Sequence, residues 1–242
     1  MNTPRFEPER DAARAQFLAN AGWADARLEW RPGDASFRRY ARLQDVTRLA
    51  MLMDAPPPKE ALGPFIMCGA ILSVAGITTP KILAEDSALG FLLLENLGDA
   101  TFTNLLNSGE DPNPLYALAT DVLISIRQNL SGPHPTLPHY DAAARASHVS
   151  TFLDWLWPEC MGAPPTVSER TEFTALWRDA LHQAPTLGRG FVHRDFHVDN
   201  LMRLNGRDGV AACGVLDFQD AGYGPFAYDL ASLIEDARRD VP

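Results

Sequence analysis

The chain has 242 residues, 46 % of them hydrophobic and 21 % charged, enough length and apolar content to bury the core of one large domain or two small ones. Its net charge of −10 excludes the basic stripe that a nucleic-acid surface needs, and no apolar run approaches membrane-spanning length. The opening stretch MNTPRFEPERDAARAQF lacks the apolar core of a secretion signal, and Cys68, Cys160 and Cys213 lie far apart in apolar contexts. These cysteines read as buried free thiols in a reducing compartment, which places the chain in the cytoplasm.

Taken in chain order, residues 9–21 predict a leading helix stopped by Gly22. RPGDASFRRYARL holds a Gly-Asp turn between extended segments, and LAMLMDA (49–55) is a short apolar strand ended by three prolines. Residues 59–76 predict a helix with Leu62, Phe65, Ile66 and Leu72 on one face. A hairpin follows, with a strand near 81–84, a turn ending at Gly90 and a buried strand at 91–95. Leu115, Leu118, Ala119, Val122, Leu123 and Ile126 recur at helical spacing, and further helices are expected over 142–157 and 167–183. FV (191–192) and GVAACGVLDF (209–218) are strand pieces around a polar octet, and AYDLASLIEDARRD closes the chain as a helix. The pattern predicts an α+β chain: a small antiparallel-sheet lobe over 1–97, a hinge near 95–98 and a larger, mainly helical lobe over 98–242.

The octet HRDFHVDN (193–200) carries the chemistry. Phosphoryl transfer from ATP needs positioning and charge neutralisation more than covalent work from the protein. A carboxylate must orient or take the proton of the attacking hydroxyl, and oxygen ligands must hold Mg2+ on the phosphates. Kinases space the base and one metal ligand as D-x-x-x-x-N, which Asp195 and Asn200 reproduce; GVLDFQD then supplies Asp217 as the second metal ligand. Either Asp195 or Asn200 alone reads as well as a turn cap, but the ordered set points to a kinase. His193 and Arg194 hold the loop shape, and His197 packs or hydrogen-bonds locally, with a direct role as a base the alternative.

These residues resemble the aminoglycoside phosphotransferase and choline kinase family, which has a two-lobed, protein-kinase-like fold. Within it, GDASFRRY (33–40), MDAPP (53–57), GFLLLENLGD (90–99), FVHRDFHVDNLM (191–202), GVLDFQDAGYGP (214–225) and YDLASL (228–233) resemble the bacterial anomeric sugar kinases. The resemblance implies an ATP- and Mg2+-dependent kinase acting on the C1 hydroxyl of N-acetylmuramate or N-acetylglucosamine in cell-wall recycling. It also implies that Gly33, Asp34, Ala35, Ser36, Phe37, Arg38 and Arg39 form the turn over the phosphates, with Glu95 to Leu97 as the hinge facing adenine. The residues agree with that turn, since Gly33 permits it, small side chains admit phosphate and two arginines add charge. An ordinary hairpin bearing surface arginines fits the same stretch equally.

Three departures from the kinase pattern stand out. The lysine of the third strand is replaced by Met53, and no acid lies between Glu60 and Gly76 of the following helix, so Arg38 or Arg39 is expected to clamp phosphate in its place. The metal segment reads Asp217-Phe218-Gln219-Asp220 without a glycine, which implies a fixed metal site. There Gln219 and Asp220 line the acceptor pocket, or Asp220 caps the next turn. Asp229, at a helix start, braces the catalytic loop. Kinases of this kind continue with helices beyond YDLASL, so the end at Pro242 implies a shortened sequence or an open acceptor site. Tyr140 and Trp155 stack on a sugar or belong to the core. An aminoglycoside or amino-alcohol kinase, and a nucleotide-binding pseudokinase, remain alternatives. The expected partners are a nucleotide and a small-molecule acceptor, with neither nucleic acid nor membrane; oligomeric state has no sequence signal.

Overall fold

The computed structural model describes residues 8–33, 36–183 and 188–241. In chain order the elements are α1 (Pro8–Asn20), β1 (Arg27–Trp30), β2 (Arg39–Gln44), β3 (Leu49–Asp54), α2 (Gly63–Val74), β4 (Ile82–Asp86) and β5 (Phe91–Glu95). They continue with α3 (Phe102–Asn107), α4 (Pro112–Asn129), α5 (Ala142–Val149), α6 (Thr151–Met161) and α7 (Val167–Gln183). The chain then runs through β6 (Arg189–Val192), β7 (Leu201–Arg203), β8 (Cys213–Val215), β9 (Gly222–Pro225) and α8 (Ala227–Ile234). The expected α+β composition is present. Among the described residues no helix is long and apolar enough to cross a membrane.

Clustering in space divides the chain into two compact units, Met1–Ala119 with Val198–Gln219, and Thr120–His197 with Asp220–Pro242. The first unit is built on an antiparallel sheet in the order β1-β2-β3-β5-β4. Alternation gives this sheet two different faces. Ala41, Leu43, Ala50, Leu52, Phe91 and Leu93 share one face and bury it against Phe17 and Leu18 of α1 and Trp23. Arg39 and Asp54 pair directly across β2 and β3 on that same face. There the fully buried Asp54 carboxylate bonds Arg39 at 2.9 Å and Arg10 at 2.7 Å, with Arg14 at 3.7 Å. A buried carboxylate is tolerable only when paired in this way, so the arginines of α1 dock the helix by charge as well as by apolar area.

The other face carries Tyr40, Arg42, Met51, Met53, Leu92 and Leu94, with Met53 facing Tyr40 and Leu92 in the register. The segment that follows the β7–β8 hairpin packs on α2 through Phe218, whose ring lies 4.8 Å from that of Phe65. Gly214 of β8 has to be glycine for a steric reason: a Cβ there would come within 2.9 Å of Leu97 Cδ1 and 3.2 Å of Met202 Cβ.

The second unit combines α5, α6, α7 and α8 with the β6–β9 ribbon, and α5 packs on α7. Leu153, Ala146, Phe191 and Leu233 are buried in it.

Several boundaries differ from the sequence expectation, each for a local reason. The helix expected from residue 59 begins at Gly63, because residues 56–60 form a turn on the Pro56 carbonyl and Pro64 occupies the first helical turn. The helix expected over 142–157 breaks at Ser150, whose hydroxyl bonds back to the Ala146 carbonyl. Of 209–218 only Cys213–Val215 is strand, since 209–212 form a 3-10 turn entered at a positive φ of 56°. α3 and β9 carry too few residues, and β9 (GYGP) too little strand character, to show in a periodicity. The cysteine reading needs one correction: all three are free and Cys68 and Cys213 are buried, but Cys160 is exposed on α6.

Candidate active site

In the second unit the loop after β6 is fixed by a buried carboxylate. Asp229, in the first turn of α8, accepts the backbone N–H of His193 at 2.7 Å and that of Arg194 at 2.9 Å, one on each oxygen. Burial pushes this carboxyl up to about 7, against the pull of the two N–H groups. Arg194 has a left-handed backbone, φ 79°, which costs a non-glycine residue energy and persists only where its surroundings impose it. The Asp229 bond to its N–H is such an imposition. Its side chain donates to the Asp220 carbonyl at 3.0 Å and lies 4.7 Å from the ring centre of Tyr140.

Asp195, immediately after this strained residue, is half exposed and donates its backbone N–H to His193 Nδ1 at 3.2 Å. Its carboxylate meets Nε2 of the buried His197 at 3.0 Å. The hydrogen bond from His197 is the main reason its carboxyl titrates below the usual range, with His197, His193 and Arg238 also lowering it electrostatically and partial burial opposing them. The side chain is thus a carboxylate at neutral pH, suited to accept a hydrogen bond from an alcohol. Close by in the same unit, Tyr140 is buried and bonds His148 Nδ1 at 3.0 Å. Burial, then Arg194, lower the His148 pKa, while Asp195 and Asp220 raise it. Trp155 is 76 % exposed on α6.

In the first unit Asn200 and Asp217 sit at the two ends of the β7–β8 hairpin. Asn200 ends a 3-10 turn and its carbonyl accepts the Leu216 N–H at 2.9 Å, which closes the hairpin base. Thr103 of α3 bonds the neighbouring Asp199 side chain. Asp217 has φ 58°, a second strained non-glycine position, and its Oδ1 accepts from the Gln219 amide at 2.7 Å. Gln219, nearly buried, therefore points toward the carboxylate expected to hold metal. Asp220 belongs to the second unit, where its carbonyl holds Arg194.

Asn200 and Asp217 line one cavity of about 340 Å³ with Tyr40, Met51, Leu94, Glu95, Leu97 and Phe218. Its wall includes the apolar cavity face of the sheet and the expected hinge. Glu95 itself is held from outside, its Oε1 accepting Arg207 at 2.9 Å, which leaves the following backbone fixed. Arg42 of β2 reaches the cavity and bonds Asp99 just past the hinge, with Arg31 3.6 Å from the same carboxylate. Among the described residues no three His, Cys, Asp or Glu side chains come together as a metal-binding group. An amide and one carboxylate in a cavity suit an oxygen-seeking ion that keeps waters and takes its remaining ligands from phosphates, which is the manner of Mg2+.

The two arginines at the start of β2 have different partners. Arg39 turns to the α1 face, onto Asp54 and 4.7 Å from the ring centre of Trp30. Arg38 Nε lies 3.2 Å from Glu60 Oε2, and Glu60 Oε1 also accepts the Phe37 N–H at 3.1 Å and the Ser36 hydroxyl at 3.3 Å. Gly33 is exposed, and Asp34 and Ala35 lie outside the described residues. The sequence reading missed Glu60, Thr103, Arg42, Asp99 and Arg207. Strict alternation along RRYAR was the signal that separates Arg38 from Arg39; the other contacts join positions too distant in sequence to leave a pattern.

Residues 27–242 match the model of a phosphotransferase enzyme family. The N-acetylmuramate/N-acetylglucosamine kinase of Caulobacter vibrioides is 34 % identical over 96 % of this chain and 73 % of its own length. That of Pseudomonas aeruginosa is 37 % identical over 94 % of this chain, which spans 66 % of the relative. Among solved structures, choline kinase from Streptococcus pneumoniae superposes with a TM-score of 0.64 at 10 % identity, covering 96 % of this chain and 76 % of that one. The chain thus shares the protein-kinase-like fold of the structures it superposes on, and it belongs to the phosphotransferase enzyme family.

Proposed function

We propose that this chain is part or all of an ATP- and Mg2+-dependent sugar kinase that phosphorylates the anomeric hydroxyl of N-acetylglucosamine or N-acetylmuramate. The observation that carries the substrate class is the 34 % and 37 % identity, across nearly the whole chain, to two kinases bearing those sugars in their names. The chain spans 73 % and 66 % of those relatives, so the activity is assigned to the protein to which these residues belong.

In this reading the cavity of the first unit takes the nucleotide, its base against Met51, Leu94 and the backbone of residues 95–97. Asn200 and Asp217 would hold Mg2+, which when bound neutralises phosphate charge. Asp195 accepts the proton of the sugar hydroxyl as that oxygen bonds the γ-phosphorus of ATP, while the bond from this phosphorus to the bridging β-phosphate oxygen breaks and ADP leaves. A carboxylate with a lowered pKa is a weak base, so its main contribution is to orient the hydroxyl until transfer is well advanced. His197 keeps one carboxylate oxygen occupied and so restricts the rotation of the group.

The test is a phosphorylation screen with N-acetylglucosamine, N-acetylmuramate, kanamycin and choline, following ADP release with and without Mg2+. Turnover confined to the N-acetylated sugars supports the proposal. Turnover with kanamycin or choline alone would assign an aminoglycoside or amino-alcohol kinase instead.

A further inference from the structure

The geometry points to Arg38, positioned by Glu60, as the cation that meets the nucleotide phosphates in place of the missing lysine of the third strand; this rests on the kinase reading above. Protein kinases put that lysine on the third strand and pair it with a glutamate of the following helix. Here Met53 occupies the corresponding place on β3 and is fully buried. A cation serving the same phosphates must therefore come from a neighbouring strand on the same face.

The register selects it. Met53 faces Tyr40 on β2, and Tyr40, Arg42, Met51 and Leu94 of that face line the nucleotide cavity. Arg38 lies just before β2 and two residues from Tyr40, so the alternation of the strand, continued by one residue, puts it on the side of Tyr40 and away from that of Arg39. Arg39, one residue on, is turned to the opposite face and bound to Asp54. Arg42 lies on the cavity face at the hinge end, bound to Asp99. Of these three arginines, Arg38 alone combines the side of Tyr40 with the end of the strand that leads into the turn.

Glu60 completes the arrangement. Its carboxylate pairs with Arg38 and also gathers the Phe37 N–H and Ser36 hydroxyl, while the Arg38 N–H donates to Ser36 Oγ at 2.8 Å. Turn and arginine are thus tied as a unit to the segment that leads into α2. The acid expected inside the helix is found just ahead of it. Glu60 is a positioning residue, acting through Arg38.

Calorimetric binding of ADP and of adenosine to the wild type, Arg38→Ala, Arg38→Lys, Arg39→Ala and Glu60→Gln tests this without any acceptor sugar. A charge-assisted contact to phosphate predicts that Arg38→Ala weakens ADP binding about 10- to 100-fold and changes adenosine binding less than about twofold. Arg38→Lys should recover part of the loss, and Glu60→Gln should weaken ADP about 3- to 10-fold through misplacement of the arginine. Thermal melts of each variant establish that it is folded. Unchanged ADP affinity in Arg38→Ala, or a phosphate-specific loss in Arg39→Ala instead, overturns the assignment. Tighter ADP binding in Glu60→Gln would mean that Glu60 competes with phosphate and would overturn its positioning role. Failure of the wild type to bind ADP at all would instead refute the kinase reading.

Discussion

Asp229 is the residue whose removal should do most to separate the shape of the catalytic loop from its chemistry. It touches no reacting atom, yet both its oxygens are spent on the backbone N–H groups of His193 and Arg194. Asparagine at this position keeps one acceptor and turns an NH2 group toward the second N–H. An unsatisfied buried donor costs about 1–3 kcal/mol, and the left-handed Arg194 loses one of its restraints. We expect Asp229→Asn to destabilise the fold by roughly 2 kcal/mol, which for a chain of this length lowers Tm by about 4–8 °C. Because Asp195 follows Arg194 directly, kcat should fall about 10- to 100-fold while ADP affinity stays near the wild-type value. Thermal melts followed by circular dichroism, together with kcat at saturating MgATP and sugar, measure both effects. A variant that melts within about 1 °C of the wild type and turns over within about twofold of it would show that Asp229 does not hold the loop.

Other outcomes follow from the same contacts. Burial raises Asp229 from 3.8 to about 7, so between those values the folded chain holds a proton that the unfolded chain has released. Through this group the fold becomes less stable as pH rises from about 4 to about 7, and urea midpoints across that range should lose this slope in Asp229→Asn. Asp195→Asn should lower kcat by about 10²- to 10⁴-fold with ADP binding retained; near-normal turnover would remove Asp195 from the mechanism. Gly90 has φ 74°, and a Cβ there would lie 2.0 Å from the Ala55 carbonyl oxygen. Gly90→Ala should therefore cost about 2–4 kcal/mol in denaturant titration. A thiol reagent should label Cys160 alone in the native protein, because Cys68 and Cys213 are buried and burial pushes the Cys213 thiol up to about 12.

The sequence by itself determined what depends on neighbours along the chain. The strands LAMLMD and FLLLE, the amphipathic α4 and the α+β class all follow from local periodicity. The roles proposed for Asp195, Asn200 and Asp217 were legible because phosphoryl transfer needs a base and two oxygen ligands in a fixed order, which appears as spacing in this chain. The bracing of the loop by Asp229 was also legible, from its place at the start of a helix.

Only the tertiary structure decided which face each arginine of the turn serves. Arg38 and Arg39 are adjacent and chemically equal in sequence, yet Arg39 pairs with Asp54 and Arg38 with Glu60, as alternation at the start of β2 leads one to expect. One side carries the docked α1 and a buried carboxylate, the other a cavity. The partner of Arg38 lies 22 residues away at Glu60, and the three arginines around Asp54 come from α1 and β2. Such pairings arise from the meeting of distant segments, and no local pattern records them. The substitution of Met53 for the expected lysine was visible at once; the cation proposed to take over its charge could be chosen only when the sheet register and the partners of the arginines were known.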